Sequence, residues 1–204
     1  VIIPEPCFVC YYPITTLTGG VPVPLPLKAE NGFKLTAQEL EAAITPRTKL
    51  IIFPFPCNPT GAVMRREDLE PIAALLRDKD IIVLSDEIYA ELTYGGERHV
   101  SIASLPGMKE RTVVVNGFSK AYAMTGWRLG YACGPEPIMN GRIYKEAPVP
   151  KGGTHAALAR TVSTTACTNL SSGNAGISRR RAVLAIRSAF MSGRNVTMRP
   201  SFVV

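Results

Sequence analysis

The sequence predicts an α/β fold built on a mostly parallel sheet, and two patterns point to it. First, four short apolar runs rich in β-branched residues are each followed by turn-forming or polar residues, as buried strands are: residues 50–53, 81–84, 112–115 and 129–133. Second, an amphipathic segment separates the first two runs. Strand, helix, strand is the unit that joins parallel neighbours, so we expect a sheet with helices packed against it.

Two helices are predicted beside these strands. The apolar residues of segment 67–78 recur with the spacing of one helix face: Leu69, Ile72, Ala73 and Leu76. Pro71 lies in the same segment, and proline is tolerated only near the first turn of a helix. Residues 36–39 (Thr-Ala-Gln-Glu) fit a capping box, in which a hydroxyl and a carboxylate satisfy free backbone donors. They predict the start of a helix over residues 40–44.

The pattern changes in the last third of the chain, which predicts a domain boundary. Residues 147–153 (APVPKGG) cannot continue a helix, and residues 161–178 are rich in Thr, Ser, Asn and Gly. We expect residues 1–140 to form part of a large domain. Residues 141–204 are expected to hold an interdomain segment and the truncated start of a smaller domain. Because the chain opens on Val1 without an initiator Met, we expect it to be a fragment.

Composition and charge argue against several classes of function. The chain has 204 residues, of which 46% are hydrophobic, enough for a substantial core. Its net charge of +7 comes from scattered basic residues, and the single tight run, Arg179 to Arg181, is typical of a solvated helix face. Five irregularly spaced cysteines suit neither a disulfide framework nor a zinc site. Without an apolar span or a signal peptide pattern, we expect a cytoplasmic protein with no metal, nucleic-acid or membrane partner.

Three groups of polar residues directly follow predicted strands: residues 58–61 (Asn-Pro-Thr-Gly), 85–89 (Ser-Asp-Glu-Ile-Tyr) and 116–120 (Asn-Gly-Phe-Ser-Lys). In an open parallel sheet, ligands bind beyond the carboxyl ends of the strands. Each group alone has a plain explanation as a turn, a helix cap or a solvated lysine. Together they supply an amide, an acid, a phenol and a lysine, with an arginine eight positions after that lysine. This set suits a phosphorylated pyridine aldehyde.

These segments closely resemble the class I and II aminotransferases of pyridoxal 5'-phosphate (PLP) fold type I. The resemblance is carried by residues 58–61, 85–89 and 119–131 (SKAYAMTGWRLGY), in the family's order and spacing, and extends more thinly over residues 1–144. It implies a three-layer large domain, followed by a small α+β domain. It also implies a homodimer that uses PLP to transfer an amino group from an amino acid to a 2-oxo acid.

The resemblance further implies a role for each site residue. Lys120 would hold PLP as an imine and, once released by the substrate amine, move the proton between the substrate Cα and the cofactor carbon. Asp86 would keep the pyridine nitrogen protonated, and Tyr89 would join these two as a catalytic residue. The remaining matches are cofactor ligands: Asn58 and Tyr89 for the ring oxygen, Ser119 and Arg128 for the phosphate, and Phe8 for stacking on the ring.

Three alternatives stay open at this point. A PLP-dependent carbon–sulfur β-lyase would share the same motifs, and so would a sensor domain that binds PLP to control transcription. The chain could also be an inactive remnant. The family's phosphate-binding glycine turn and its substrate-carboxylate arginine have no counterpart in this sequence, so the amino donor is not predicted.

Overall fold

A six-stranded sheet with the order β2-β1-β3-β4-β5-β6 forms the centre of the part of the chain that the structure describes. The computed structural model describes residues 1–139. Its strands are β1 (Ile2–Glu5), β2 (Val23–Pro26), β3 (Leu50–Phe53), β4 (Ile82–Asp86), β5 (Thr112–Gly117) and β6 (Gly130–Cys133). Its α-helices are α1 (Tyr11–Leu17), α2 (Ala37–Ala43), α3 (Arg66–Leu76) and α4 (Glu136–Met139). Strands β1 to β5 are parallel, and β6 runs antiparallel to β5.

The predicted α/β fold with a mostly parallel sheet is confirmed. The four predicted strands are β3 to β6, and β4 and β5 extend to Asp86 and Gly117. The division of the chain into residues 1–140 and 141–204 stays a prediction, because the second segment lies outside the described residues.

The strands β1 and β2 were not predicted, because proline interrupts both of their sequences. β2 reads Val-Pro-Leu-Pro and lies at one edge of the sheet. The N–H groups of the residues that flank the two prolines point towards β1: Val23 N donates to Val1 O at 2.8 Å, and Leu27 N donates to Glu5 O at 2.7 Å. Since backbone groups alternate along a strand, Pro24 and Pro26 face away from β1. At those positions the missing N–H costs no ladder hydrogen bond.

The helices follow the predicted patterns, with one correction. The capping box of α2 is present: Glu39 N donates to Thr36 Oγ1 at 3.2 Å, and Thr36 N donates to Glu39 Oε2 at 3.2 Å. The four apolar residues predicted to form one face of α3 are all buried. The expectation that Pro71 lies near the first turn was wrong, because α3 begins at Arg66 and Pro71 follows more than one turn later. Pro71 has no N–H to donate to the Glu67 carbonyl four positions earlier, so the helix lacks one backbone hydrogen bond there.

The core lies on both faces of the sheet. On one face, Ile51 and Phe53 of β3 pack with Leu40 of α2 and Leu69 of α3. On the opposite face, Ile3 and Ile52 form a smaller cluster with Tyr11 of α1. Helices therefore cover both faces, as the three-layer expectation requires. Within residues 1–139, no helix is long and apolar enough to cross a membrane.

Candidate active site

Most of the predicted site residues lie at one edge of the sheet. β1, β3, β4 and β5 are parallel neighbours, so their carboxyl ends meet there. The residues that follow or end these strands are Phe8 after β1, Asn58 after β3, Asp86 at the end of β4, and Ser119 and Lys120 after β5. The topology thus brings together side chains that are up to 112 positions apart in the sequence, from Phe8 to Lys120.

Asp86 is held by two neutral donors. The Tyr11 hydroxyl donates to Asp86 Oδ2 at 2.8 Å, and the backbone N–H of Ile88 donates to Asp86 Oδ1 at 3.2 Å. Within the described part of the chain, no Lys, Arg or His lies within ion-pair distance of this carboxylate. The negative charge is therefore oriented but not neutralised, and it can face a cationic group of a ligand.

Tyr11 is a site residue that the sequence analysis missed. Its side chain is buried at the start of α1, against Ile3 and Ile52, and Phe8 meets its ring edge-on with centroids 6.3 Å apart. Burial first, and then the charge of Asp86, raise the pKa of Tyr11 well above its usual range. The phenol therefore stays protonated and remains a donor. Inspection of the residues after β1, had that strand been predicted, could have found it.

Lys120, Tyr89 and Asn58 form a second contact group. The Lys120 Nζ lies 5.5 Å from the centroid of the Tyr89 ring, a cation–π distance. The Asn58 amide Nδ2 donates to the Tyr89 hydroxyl at 3.4 Å. Lys120 is exposed, whereas Tyr89 and Asn58 are half-buried. Tyr89 lies in the turn that follows Asp86, so this turn connects the two contact groups.

Ser119 and Arg128 are not joined to these groups by a hydrogen bond between residues that the structure describes. Arg128 is exposed, and its Nη1 donates to the Thr125 carbonyl at 3.2 Å. Its backbone φ of +52° is uncommon for a residue other than glycine, and such conformations concentrate at functional sites. Phe8 is 46% exposed, so part of its ring is open to a ligand. The roles of these three residues in binding stay predictions.

A buried carboxylate network lies on the other face of β4. Ser85 and Glu87 alternate with Asp86 and so point towards the face of α2 and α3. Glu87 Oε1 accepts from Ser85 Oγ at 2.9 Å and from Ser101 Oγ at 2.6 Å, and its Oε2 lies 2.9 Å from His99 Nε2. The Glu87 side chain thus ties the segment around residue 100 to the end of β4, beside Asp86. We define Ser85, Glu87, His99 and Ser101 as the Glu87 network.

The cysteines near this edge are weak acids. Cys7 and Cys10 are half-buried and lie between β1 and α1. Burial, and to a smaller extent the charge of Glu5, raises the pKa of Cys7 to about 11. Burial, and to a smaller extent the charge of Asp86, raises the pKa of Cys10. Both thiols therefore stay protonated near neutral pH. In residues 1–139, no group of three or more His, Cys, Asp or Glu side chains could hold a metal ion.

The sequence of this chain matches a family of known proteins. A family model described as aminotransferase class I and II matches residues 1–185. The aspartate aminotransferase of Pyrococcus abyssi is 51% identical over 139 residues, which cover 68% of this chain and 36% of that protein. The aromatic-amino-acid aminotransferase 2 of Thermococcus litoralis is 52% identical over 139 residues, with the same 68% and 36% coverage.

A similarity of fold accompanies these sequence matches. The crystal structure of the aspartate aminotransferase from Rhizobium meliloti superimposes with a TM-score of 0.65 and 46% identity, over 67% of this chain and 35% of that one. The chain therefore spans about a third of the length of the curated relatives that it matches.

Proposed function

The chain belongs to the class I and II aminotransferases, and from this premise we propose that the protein binds PLP through Lys120 and transfers an amino group from an amino acid to a 2-oxo acid. The observation that carries the proposal is the carboxylate of Asp86, which ends β4 and is held by Tyr11 and Ile88 without a cation in the described residues. A protonated pyridine nitrogen would supply that cation.

The residues present suit PLP. Asp86 offers a charge for the ring nitrogen, and the exposed amine of Lys120 offers a nucleophile for an aldehyde. Asn58 and Tyr89 already share a hydrogen bond and carry the donors that a ring oxygen requires. Ser119 and Arg128 would bind the phosphate, and Phe8 would cover the ring. When bound, PLP supplies an aldehyde that condenses with amines and a ring that withdraws electrons from the substrate Cα.

The chemical work that we assign to the protein is proton transfer. The Lys120 amine, once free, would take a proton from the substrate Cα as a general base and then donate it to the cofactor carbon as a general acid. The Tyr89 ring beside Lys120 Nζ limits the directions that this amine can take. Asp86 would hold a proton on the ring nitrogen, which favours the electron-poor state of the ring.

Covalent trapping tests the lysine assignment. The purified protein would be incubated with PLP, reduced with borohydride and digested, and the modified peptide identified by mass spectrometry. We expect the adduct on Lys120 and its loss in Lys120→Ala. Lys109→Ala removes another exposed lysine and serves as the matched control. Equal labelling of Lys120→Ala and the wild type would refute the assignment.

Product analysis tests the reaction. With an amino acid and a 2-oxo acid, we expect exchange of the amino group, whereas a carbon–sulfur β-lyase would release ammonia and pyruvate. A sensor domain would bind PLP and do neither. The names of two relatives suggest aspartate and aromatic amino acids as the first donors to test.

We also propose that the protein is a cytoplasmic homodimer. The resemblance to the family supports this, and so do apolar side chains exposed in and around α1, such as Val9 and Leu17, which are 79% and 85% exposed. Light scattering of the purified protein is expected to give twice the mass of one chain. The mass of a single chain would contradict the dimer, and fractionation of cells would test the location.

A further inference from the structure

We infer that Tyr11 is a positioning residue for Asp86: its hydroxyl binds the carboxylate and fixes its direction, and thereby sets how firmly Asp86 holds a proton on the cofactor ring. This inference rests on the proposed function and goes beyond it, because Tyr11 itself touches Asp86 and needs no contact with the cofactor.

Two hydrogen bonds fix the direction of the Asp86 carboxylate. The Tyr11 hydroxyl donates to Asp86 Oδ2 at 2.8 Å, and the Ile88 N–H donates to Oδ1 at 3.2 Å, so both oxygens are held in place. A carboxylate has about four acceptor positions, so each oxygen keeps one for a further donor. The Tyr11 ring is only 8% exposed and packs on Ile3 and Ile52 at the base of the site. The donor therefore cannot swing away without opening this cluster.

The Tyr11 hydroxyl binds the Asp86 carboxylate without cancelling its charge. A hydrogen bond to the ionised form of an acid favours that form, so the phenol stabilises the Asp86 carboxylate. A neighbouring lysine or arginine would do the same but would also cancel the negative charge. Because burial and Asp86 raise the pKa of Tyr11 well above its usual range, the phenol keeps its proton at all ordinary pH values. A neutral, non-titrating donor thus orients the acid and leaves its charge for the ligand.

Tyr11 also contacts the aromatic ring of Phe8. Phe8 meets the Tyr11 ring at 75° with centroids 6.3 Å apart, an edge-to-face contact. Phe8 lies in the short connection from β1 to α1, and Tyr11 is the first residue of α1. Phe8, which we propose covers the cofactor ring, is therefore in direct contact with Tyr11, which orients Asp86.

The test removes only the hydroxyl. Tyr11→Phe keeps the packed ring, and Tyr94→Phe, at an 82% exposed tyrosine, is the matched control. We expect Tyr11→Phe to weaken PLP binding about tenfold, the loss typical of one hydrogen bond to a charged group. Without this donor, Asp86 becomes the stronger base and takes more of the proton from the ring. The pH midpoint of the visible spectrum of the Lys120-bound cofactor is therefore expected to rise. Tyr94→Phe should change neither quantity.

A double-mutant cycle separates positioning from packing. In an Asp86→Asn background the charged acceptor is gone, so Tyr11→Phe should have little further effect on PLP affinity. An equal loss in both backgrounds would mean that the ring packing, and not the hydrogen bond, is responsible, and would overturn the inference. Wild-type affinity and spectrum in Tyr11→Phe would also overturn it, whereas the Lys120 adduct in the same protein would leave the proposed function standing. Absence of that adduct in the wild type would count against the proposed function instead.

Discussion

Removing the buried carboxylate of Glu87 should destabilise the fold more than most single changes. Glu87 is 5% exposed, and its two oxygens bind two serine hydroxyls and contact the His99 ring. Glu87→Ala would leave Ser85 Oγ, Ser101 Oγ and His99 Nε2 without this shared partner. Each buried polar group that loses its partner costs about 1–3 kcal/mol. We expect a total loss of about 3–5 kcal/mol for the three groups, because they share one side chain and can relax together.

Urea unfolding at neutral pH would measure this loss. Glu87→Gln keeps one oxygen for the two serines, and its amide can still contact the His99 ring, so we expect it to cost about 1–2 kcal/mol. Glu41→Ala removes an exposed glutamate from α2 and should stay within about 0.5 kcal/mol of the wild type. A Glu87→Ala protein less than 1 kcal/mol below the wild type would refute the claim that the Glu87 network stabilises this part of the fold.

Two further predictions concern stability. Thr36→Ala should lower the free energy of unfolding by about 1 kcal/mol, because it removes the acceptor of the α2 capping box, whereas Thr36→Ser should restore most of it. Urea unfolding would check both variants, and an unchanged Thr36→Ala protein would contradict the prediction. Burial, and then the charges of nearby acidic groups, raises the pKa of Tyr131 from 10.0 to about 12. Its contribution to stability is therefore complete below pH 10 and is lost as the pH rises through 12. Tyr131→Phe should show a smaller fall over that range in thermal melts, and an identical fall would contradict the assignment.

The strands of the fold were predictable where apolar residues are continuous. β3 to β6 consist of such runs, and their order with α3 between β3 and β4 predicts parallel pairing. The direction of β6 was not predictable from its composition, because an apolar run looks the same in either orientation. β1 and β2 were not predicted because proline normally argues against a strand. Pro24 and Pro26 are tolerated because their backbone positions face away from β1, and this depends on which strand lies next to β2.

The site was predictable only in part, for a related reason. Asn58, Asp86 and Lys120 follow strands, and the rule that ligands bind at strand ends identifies them before any contact is known. The hydrogen bond from Tyr11 to Asp86 joins residues 75 positions apart, and no local pattern encodes it. The Glu87 network is hidden for another reason: its carboxylate and that of Asp86 are adjacent in sequence but point to opposite faces of β4.

The prolines of β2 bear on how this sheet meets other molecules. An edge strand normally offers a row of N–H groups that a strand from a second copy could extend. In β2, the two residues that face away from β1, Pro24 and Pro26, have no N–H group, while Val23 and Leu27 donate their N–H groups to β1. A strand that approached the open side of β2 would therefore meet carbonyl acceptors but no N–H donor from Pro24 or Pro26. This disfavours the addition of a further strand, the step by which sheets grow into aggregates.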